Sequence, residues 1–177
     1  MKKLLLPIVA IVLAALILLG VSVGLKGITQ SNARRERLSM MSTLLPGSIK
    51  FEEEPYTGED ENIRCVYKGE TGFVIETGVE GYADEITMLV GVSSEGTVTG
   101  LVVREMSETF GLGANALKDH EFLSQFLNTS GEAEVGTNVD AITGATVTSK
   151  AIARSVNSAV AYVTGADIGS GATSWGG

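Results

Sequence analysis

From Leu4 to Leu25 the chain reads LLLPIVAIVLAALILLGVSVGL, 22 consecutive residues without a charge. A helix of that length, at about 1.5 Å per residue, reaches roughly 33 Å and crosses a hydrocarbon core of about 30 Å. The competing reading is a cleaved signal peptide, since Lys2 and Lys3 supply a basic start. The apolar core of such a peptide runs about 7–15 residues and ends at a small-x-small cleavage site. This run is longer, and no Ala-x-Ala follows it. The expectation is a retained transmembrane anchor over residues 1–28, so that whatever follows folds tethered to a membrane. Gly20 and Gly24 stand at the Gly-x-x-x-Gly spacing that permits close helix contact. Lys2 and Lys3 flank one end, and Lys26, Arg34, Arg35 and Arg37 the other, so charge does not decide the orientation.

Charge separates the two parts of the chain. Residues 1–37 hold six Lys/Arg and one acid, which leaves seven basic and 20 acidic residues in 38–177, a net charge of −13. A domain that acidic repels phosphate backbones and anionic lipid, which excludes nucleic-acid binding. Cys65 and His120 are each alone. One cysteine makes no intrachain disulfide and no four-Cys iron–sulfur cluster, and one histidine makes no His-rich zinc or bis-His haem site. No metal centre is expected. Cys65 in the alternating stretch NIRCVYK reads as a buried or half-buried thiol, and His120 in LKDHEF as a surface helix or loop position. No Ser–His–acid grouping or paired-carboxylate signature is present, so no independent catalytic centre is expected.

Beyond the anchor, residues 29–48 read as a membrane-proximal helix with Leu38, Met41 and Leu45 at helical spacing, closed by Pro46-Gly47. The acidic stretch FEEEPYTGEDEN reads as loop. NIRCVYK and GFVIETG are short, β-rich and bounded by glycine, and EITMLVGV and TVTGLVVRE form a hairpin around a four-residue polar turn, SSEG. Asn115 to Leu127 holds one or two short helices, and a final helix from Ser149 to Val163 puts Ile152, Val156, Ala159 or Val160, and Val163 on one face. The Gly/Ser-rich end, residues 166–177, reads as a flexible tail. The fold class is α+β: an N-terminal transmembrane helix, then a compact domain over 49–165 with an antiparallel sheet and a C-terminal helix.

The segment DAITGATVTS, Asp140 to Ser149, crowds hydroxyls around Gly144 just before that last helix. One account is a helix cap, with Thr146, Thr148 or Ser149 accepting otherwise unpaired N–H groups and Thr143-Gly144 forming a turn. Another is a seat for a phosphate, because a helix N-terminus offers free N–H donors and partial positive charge, and Gly144 lets a bulky group approach the backbone. GATVTSK lacks the long Gly-rich loop of an NTPase.

The segment resembles the covalent-flavin attachment motif, Asp-x-x-(Ser/Thr)-Gly-Ala-Thr followed by x-(Ser/Thr), of flavoproteins with an FMN-binding domain. The resemblance implies that a flavin transferase takes FMN from FAD and esterifies its phosphate to Thr146. Asp140 would be read by the transferase, Thr143, Gly144 and Ala145 would shape the turn, and Thr148 would fill the trailing hydroxyl position. SETFGLG, Ser107 to Gly113, resembles the His-x-Glu-Thr-Pro-Gly-Leu-Gly box that the family places over the flavin ring. Glu108, Thr109, Gly111, Leu112 and Gly113 match it, while Phe110 stands in the place of the proline and no histidine precedes Ser107 at the usual place before the glutamate. The anchor, the LLPG after the membrane-proximal helix, the Gly81-Tyr82 turn and the compact flavin domain are similar to the G subunits of Rnf electron-transport complexes. That resemblance implies an electron relay on the extracytoplasmic side of the cell membrane. Its partners would be the other Rnf subunits, in a complex that couples transfer between ferredoxin and NAD to translocation of Na⁺ or H⁺. Two other readings remain: a stand-alone membrane-anchored extracytoplasmic flavoprotein, and a non-redox structural module in which the hydroxyls only cap a helix.

Overall fold

A computed structural model of the chain describes residues 34–106 and 119–166. The apolar run Leu4–Leu25, the Ser107–Gly113 box, the start of the Asn115–Leu127 stretch and the tail from residue 167 lie outside the described residues. Among the described residues no helix is long and apolar enough to cross a membrane. The chain divides after Ser39 into two compact units, and the second holds the sheet and the helices packed on it.

Residues 34–44 are helical (α1), and Pro46-Gly47 makes the turn that ends the helix, with Gly47 at φ 91°. Five antiparallel strands follow as a simple meander: β1 (Glu52–Glu54), β2 (Ile63–Lys68), β3 (Gly72–Glu80), β4 (Glu85–Ser93) and β5 (Val98–Met106). A short helix, α2 (His120–Ser124), and a long one, α3 (Thr146–Thr164), complete the described chain. The acidic stretch expected as loop is partly strand: Glu52–Glu54 pair with Lys68, Tyr67 and Val66 at the sheet edge. Pairing with β2, rather than any apolar pattern of its own, makes these glutamates extended, and Lys68 meets Glu54 at 3.6 Å. The expected hairpin forms, with Glu85–Ser93 and Val98–Met106 joined through residues 94–97.

The sheet is covered on both faces. On one, α3 packs Ile152, Val156, Ala159 and Val160 against Val66, Ile75, Val79, Met88 and Val90, and Phe122 and Phe126 join the same cluster. On the other, Met41, Leu44 and Leu45 pack against Tyr67, Val74 and Leu89. Double coverage explains β4, whose residues from Met88 to Val92 are all buried: a strand between two layers has no solvent side and reads as a continuous apolar run. Cys65 is half-buried at the edge of the second cluster, and His120 is exposed at the start of α2.

Backbone meets backbone where α1 ends. Gly91 and Gly100 face each other across β4 and β5. The Leu44 carbonyl lies over them, accepting a hydrogen bond from the Thr99 hydroxyl, and a Cβ on Gly91 would overlap that carbonyl oxygen. The obstacle is main chain, which has no rotamer to yield. Gly91→Ala is therefore expected to destabilise the fold by about 1–3 kcal/mol, the usual cost of overpacking a core. Denaturant unfolding measures it, and an unchanged midpoint would show that α1 does not press on the sheet there.

Candidate functional site

Helix α3 is fastened to the sheet by polar contacts as well as apolar ones. Thr77 on β3 and Ser155 on α3, both fully buried, share a hydroxyl–hydroxyl hydrogen bond. Asn62 donates from Nδ2 to Ser158 Oγ at 3.1 Å, and the Arg154 guanidinium donates to the Glu80 carbonyl at 3.0 Å. A buried hydroxyl left unpaired costs about 1–3 kcal/mol, so the helix has little freedom to slide along the sheet. Gly165, at φ 69°, ends it by donating from its N–H to the Ala161 carbonyl. Thr146 lies eight residues before Arg154, about 12 Å up the axis at the helical rise. It therefore sits at the end of α3 beyond the β3 terminus.

The chain leading to Thr146 is held by side chains from elsewhere. Phe122 and Phe126, buried and packed edge to face at 5.3 Å, anchor α2 and its following turn, whose N-cap Asp119 accepts from the N–H groups of Glu121 and Phe122. That fixes Gln125, whose Oε1 accepts the Asp140 N–H at 2.8 Å while its Nε2 donates to the Asp140 carbonyl at 3.4 Å. Within α3, Asn157 does the same for Ala133, accepting its N–H at 2.9 Å and donating to its carbonyl at 3.0 Å. Between them, residues 134–139 form a tight turn in which Asn138 Oδ1 accepts the Glu134 N–H at 2.7 Å and Val135 bridges Val139.

Ile142 to Ala145 is a β-turn closed by the Ala145 N–H donating to the Ile142 carbonyl at 2.9 Å. Gly144 takes φ 80°, as the third residue of a type II turn requires and as glycine does without steric cost. The helix starts at Thr146, three residues earlier than expected from Ser149. Its N-cap is Ala145, with no side-chain capping bond, which corrects the account in which Thr146, Thr148 or Ser149 caps the helix. Thr146 and Thr143 are exposed, and among the described residues neither hydroxyl is hydrogen-bonded. Thr148 is buried at 1% exposure, Ala145 at 5%, and Asp140 and Gly144 are exposed. The residues Glu108, Thr109, Gly111, Leu112 and Gly113 lie outside the described residues.

The first intrahelical bond of α3 runs from the Ser149 N–H to the Ala145 carbonyl at 2.9 Å. The N–H groups of Thr146, Val147 and Thr148 thus have no intrahelical acceptor, and the first turn carries no acidic residue to compete for them. An exposed hydroxyl at the positive end of a 19-residue helix, next to a glycine turn, is a donor set that fits a phosphate ester. The ionisable groups that the fold perturbs on β2 and at the far end of α3 stand apart from this end. Burial pushes the Cys65 thiol up, with Glu53 and Glu76 adding to the effect, and burial beside Glu54 raises the Tyr162 phenol.

A family model described as an FMN-binding domain matches residues 81–161, from the β3–β4 turn to the start of the last turn of α3. The G subunit of the ion-translocating oxidoreductase complex of Methanosarcina acetivorans is 37% identical over 139 residues, 70% of this chain and 72% of that one. The G subunit of the Na(+)-translocating ferredoxin:NAD(+) oxidoreductase complex of Acetobacterium woodii is 35% identical over 116 residues, 56% of this chain and 55% of its own. Its proton-translocating counterpart from Clostridium ljungdahlii is 38% identical over 99 residues, 52% and 53% of the two chains. The chain belongs to the family of G subunits of ion-translocating oxidoreductase complexes.

Asn157→Leu removes both partners of the Ala133 backbone. Amide exchange over residues 133–139 is then expected to quicken by about ten-fold or more, as for groups losing 1–3 kcal/mol of pairing. Unchanged protection would show that the turn holds without the helix.

Proposed function

We propose that this member of the G-subunit family carries FMN esterified through its phosphate to Thr146 and serves as an electron relay in a membrane-bound ferredoxin:NAD oxidoreductase complex that translocates ions. The observation that carries the reading is the exposed Thr146 hydroxyl at the first position of α3, beside three N–H groups without intrahelical acceptors, inside the segment matched by the FMN-binding domain. When bound, FMN supplies a ring that takes up and hands on electrons singly or in pairs, so the chain needs no catalytic triad or metal of its own.

The residues divide the work. Thr146 supplies the ester oxygen, and the N–H groups of Thr146, Val147 and Thr148 face the remaining negative charge of the diester, worth about 0.3–1 kcal/mol at a helix end. The covalent bond, not this term, retains the cofactor. Gly144 keeps the approach to the backbone clear, and Thr143 and Ala145 complete the turn. Glu108, Thr109, Gly111, Leu112 and Gly113 belong over the ring, by their likeness to the family box. Asp140, exposed ahead of the turn, is the residue a flavin transferase reads. Leu4 to Leu25 anchors the chain in one pass, with the flavin domain on the extracytoplasmic side, where lost FMN could not be replaced and a tether is required.

The attachment is an exchange without redox change. The Thr146 Oγ–P bond forms, the pyrophosphate bond of FAD breaks, AMP leaves with the second phosphate, and the hydroxyl proton passes to solvent. Thr146→Val is expected to abolish attached flavin with the fold intact, because its hydroxyl makes no bond among the described residues. Thr148→Val is expected to keep the flavin, since Thr148 is buried, and Asp140→Ala to lower loading. Intact mass and in-gel flavin fluorescence read all three, and undiminished fluorescence in Thr146→Val would move the attachment to another residue.

A further inference from the structure

The stretch from Asp140 to Thr146 is gripped at both ends by side chains that lie outside it. Ser149 is fully buried, and its hydroxyl does two things at once. It donates to the Ala145 carbonyl at 2.9 Å and accepts the N–H of Ile142, seven residues back, at 3.2 Å. The first bond is the ordinary back-bond of a serine within a helix and contributes little to helix stability. The second leaves the helix altogether. With the Ala145 N–H on the Ile142 carbonyl, it ties the entrance and exit of the Thr143-Gly144 turn to the first turn of α3. At the other end, Gln125 uses both atoms of its side-chain amide on the Asp140 backbone, so the Asp140 carboxylate is left exposed.

We propose that Ser149 and Gln125 are positioning residues for flavin attachment, holding the Asp140–Thr146 backbone in the one shape that presents the Thr146 hydroxyl to the transferase. The proposal rests on the reading of Thr146 as the acceptor and adds to it that the acceptor loop is set before any cofactor arrives. Transfer of a phosphoryl group requires the attacking oxygen in line with the bond that breaks, and an oxygen on the first residue of a helix is correctly placed, and its approach clear, only part of the time if the turn leading into it samples many shapes. Neither Ser149 nor Gln125 supplies an atom to the bond that forms. Their effect is on how often Thr146 stands ready. Removing either should therefore lower the turnover of the transferase while leaving its affinity for the chain unchanged.

The test uses the full-length chain in membranes, produced without the transferase and then given the transferase and FAD, with attached FMN followed over time by intact mass. Ser149→Ala and Gln125→Leu are expected to load about ten-fold more slowly at saturating chain concentration, the effect of losing the side-chain hydrogen bonds that hold a geometry, with KM for the chain unchanged. Thr99→Val removes a comparable bond, to the Leu44 carbonyl on the opposite face of the sheet, and is expected to load at the unmodified rate. If Ser149→Ala fails to fold, Gln125→Leu decides, because Gln125 is only half-buried. Loading of Gln125→Leu at the unmodified rate, or equal slowing in Thr99→Val, overturns the proposal while Thr146→Val stays empty. Loading of Thr146→Val overturns the acceptor assignment beneath it.

Discussion

Two hydroxyls inside an apolar core, Thr77 on β3 and Ser155 on α3, have only each other for a partner among the described residues, and the site depends on that bond. Apolar packing alone would let a helix slide or roll by fractions of a turn at small cost, since one aliphatic neighbour replaces another. A buried hydroxyl does not permit this, because any slide that parts the pair leaves both unsatisfied, at about 1–3 kcal/mol each. Ser158 with Asn62, one turn further on, and the exposed Arg154, beside Ser155, with the Glu80 carbonyl add polar contacts to it. The helix is thereby indexed to the sheet, and the position of Thr146 follows from an interaction more than two turns away.

From that fixed end the site is assembled by polar side chains acting on backbone. Asn157 holds Ala133, Gln125 holds Asp140 and Ser149 holds Ile142 and Ala145, so the loop between α2 and α3 is pinned at intervals along its length. The loop reaches the core through Phe126, Ala133, Val139 and Ala145, and between those points side-chain amides satisfy its main-chain groups where no strand is available. The result is a fixed approach to a hydroxyl that itself stays free. Such an arrangement suits the proposed role, in which a flavin ring carries the chemistry and the chain supplies position and charge. The first turn of α3 has no acidic residue, in a domain with a net charge of −13, and this keeps the positive helix end available for an anion.

Much of the fold is legible in the sequence because it is written in periods. Short β-rich runs bounded by glycine mark β2 and β3, the two apolar runs around Ser94–Thr97 mark the hairpin, and Ile152, Val156, Ala159 and Val160 mark the buried face of α3. The short edge strand Glu52–Glu54 is not legible, since three glutamates before a proline carry no alternation and only the pairing with β2 extends them. The start of α3 is misread for a related reason. A hydroxyl-rich stretch reads as a cap, whereas Ser149 folds back on the turn from inside the helix and Ala145 takes the cap position without a side-chain bond. The motif points to Thr146 as acceptor, but Gln125 and Asn157 act on residues 15 and 24 positions away and have no pattern in the sequence to announce them.

The most direct measurement is a proteolytic map of the protein isolated from its own host, with each peptide weighed and fragmented. The account predicts that the peptide ending at Lys150 carries one phosphoryl-riboflavin group, and that fragmentation assigns it to Thr146. An unmodified peptide, or a flavin assigned to any other hydroxyl, would contradict it.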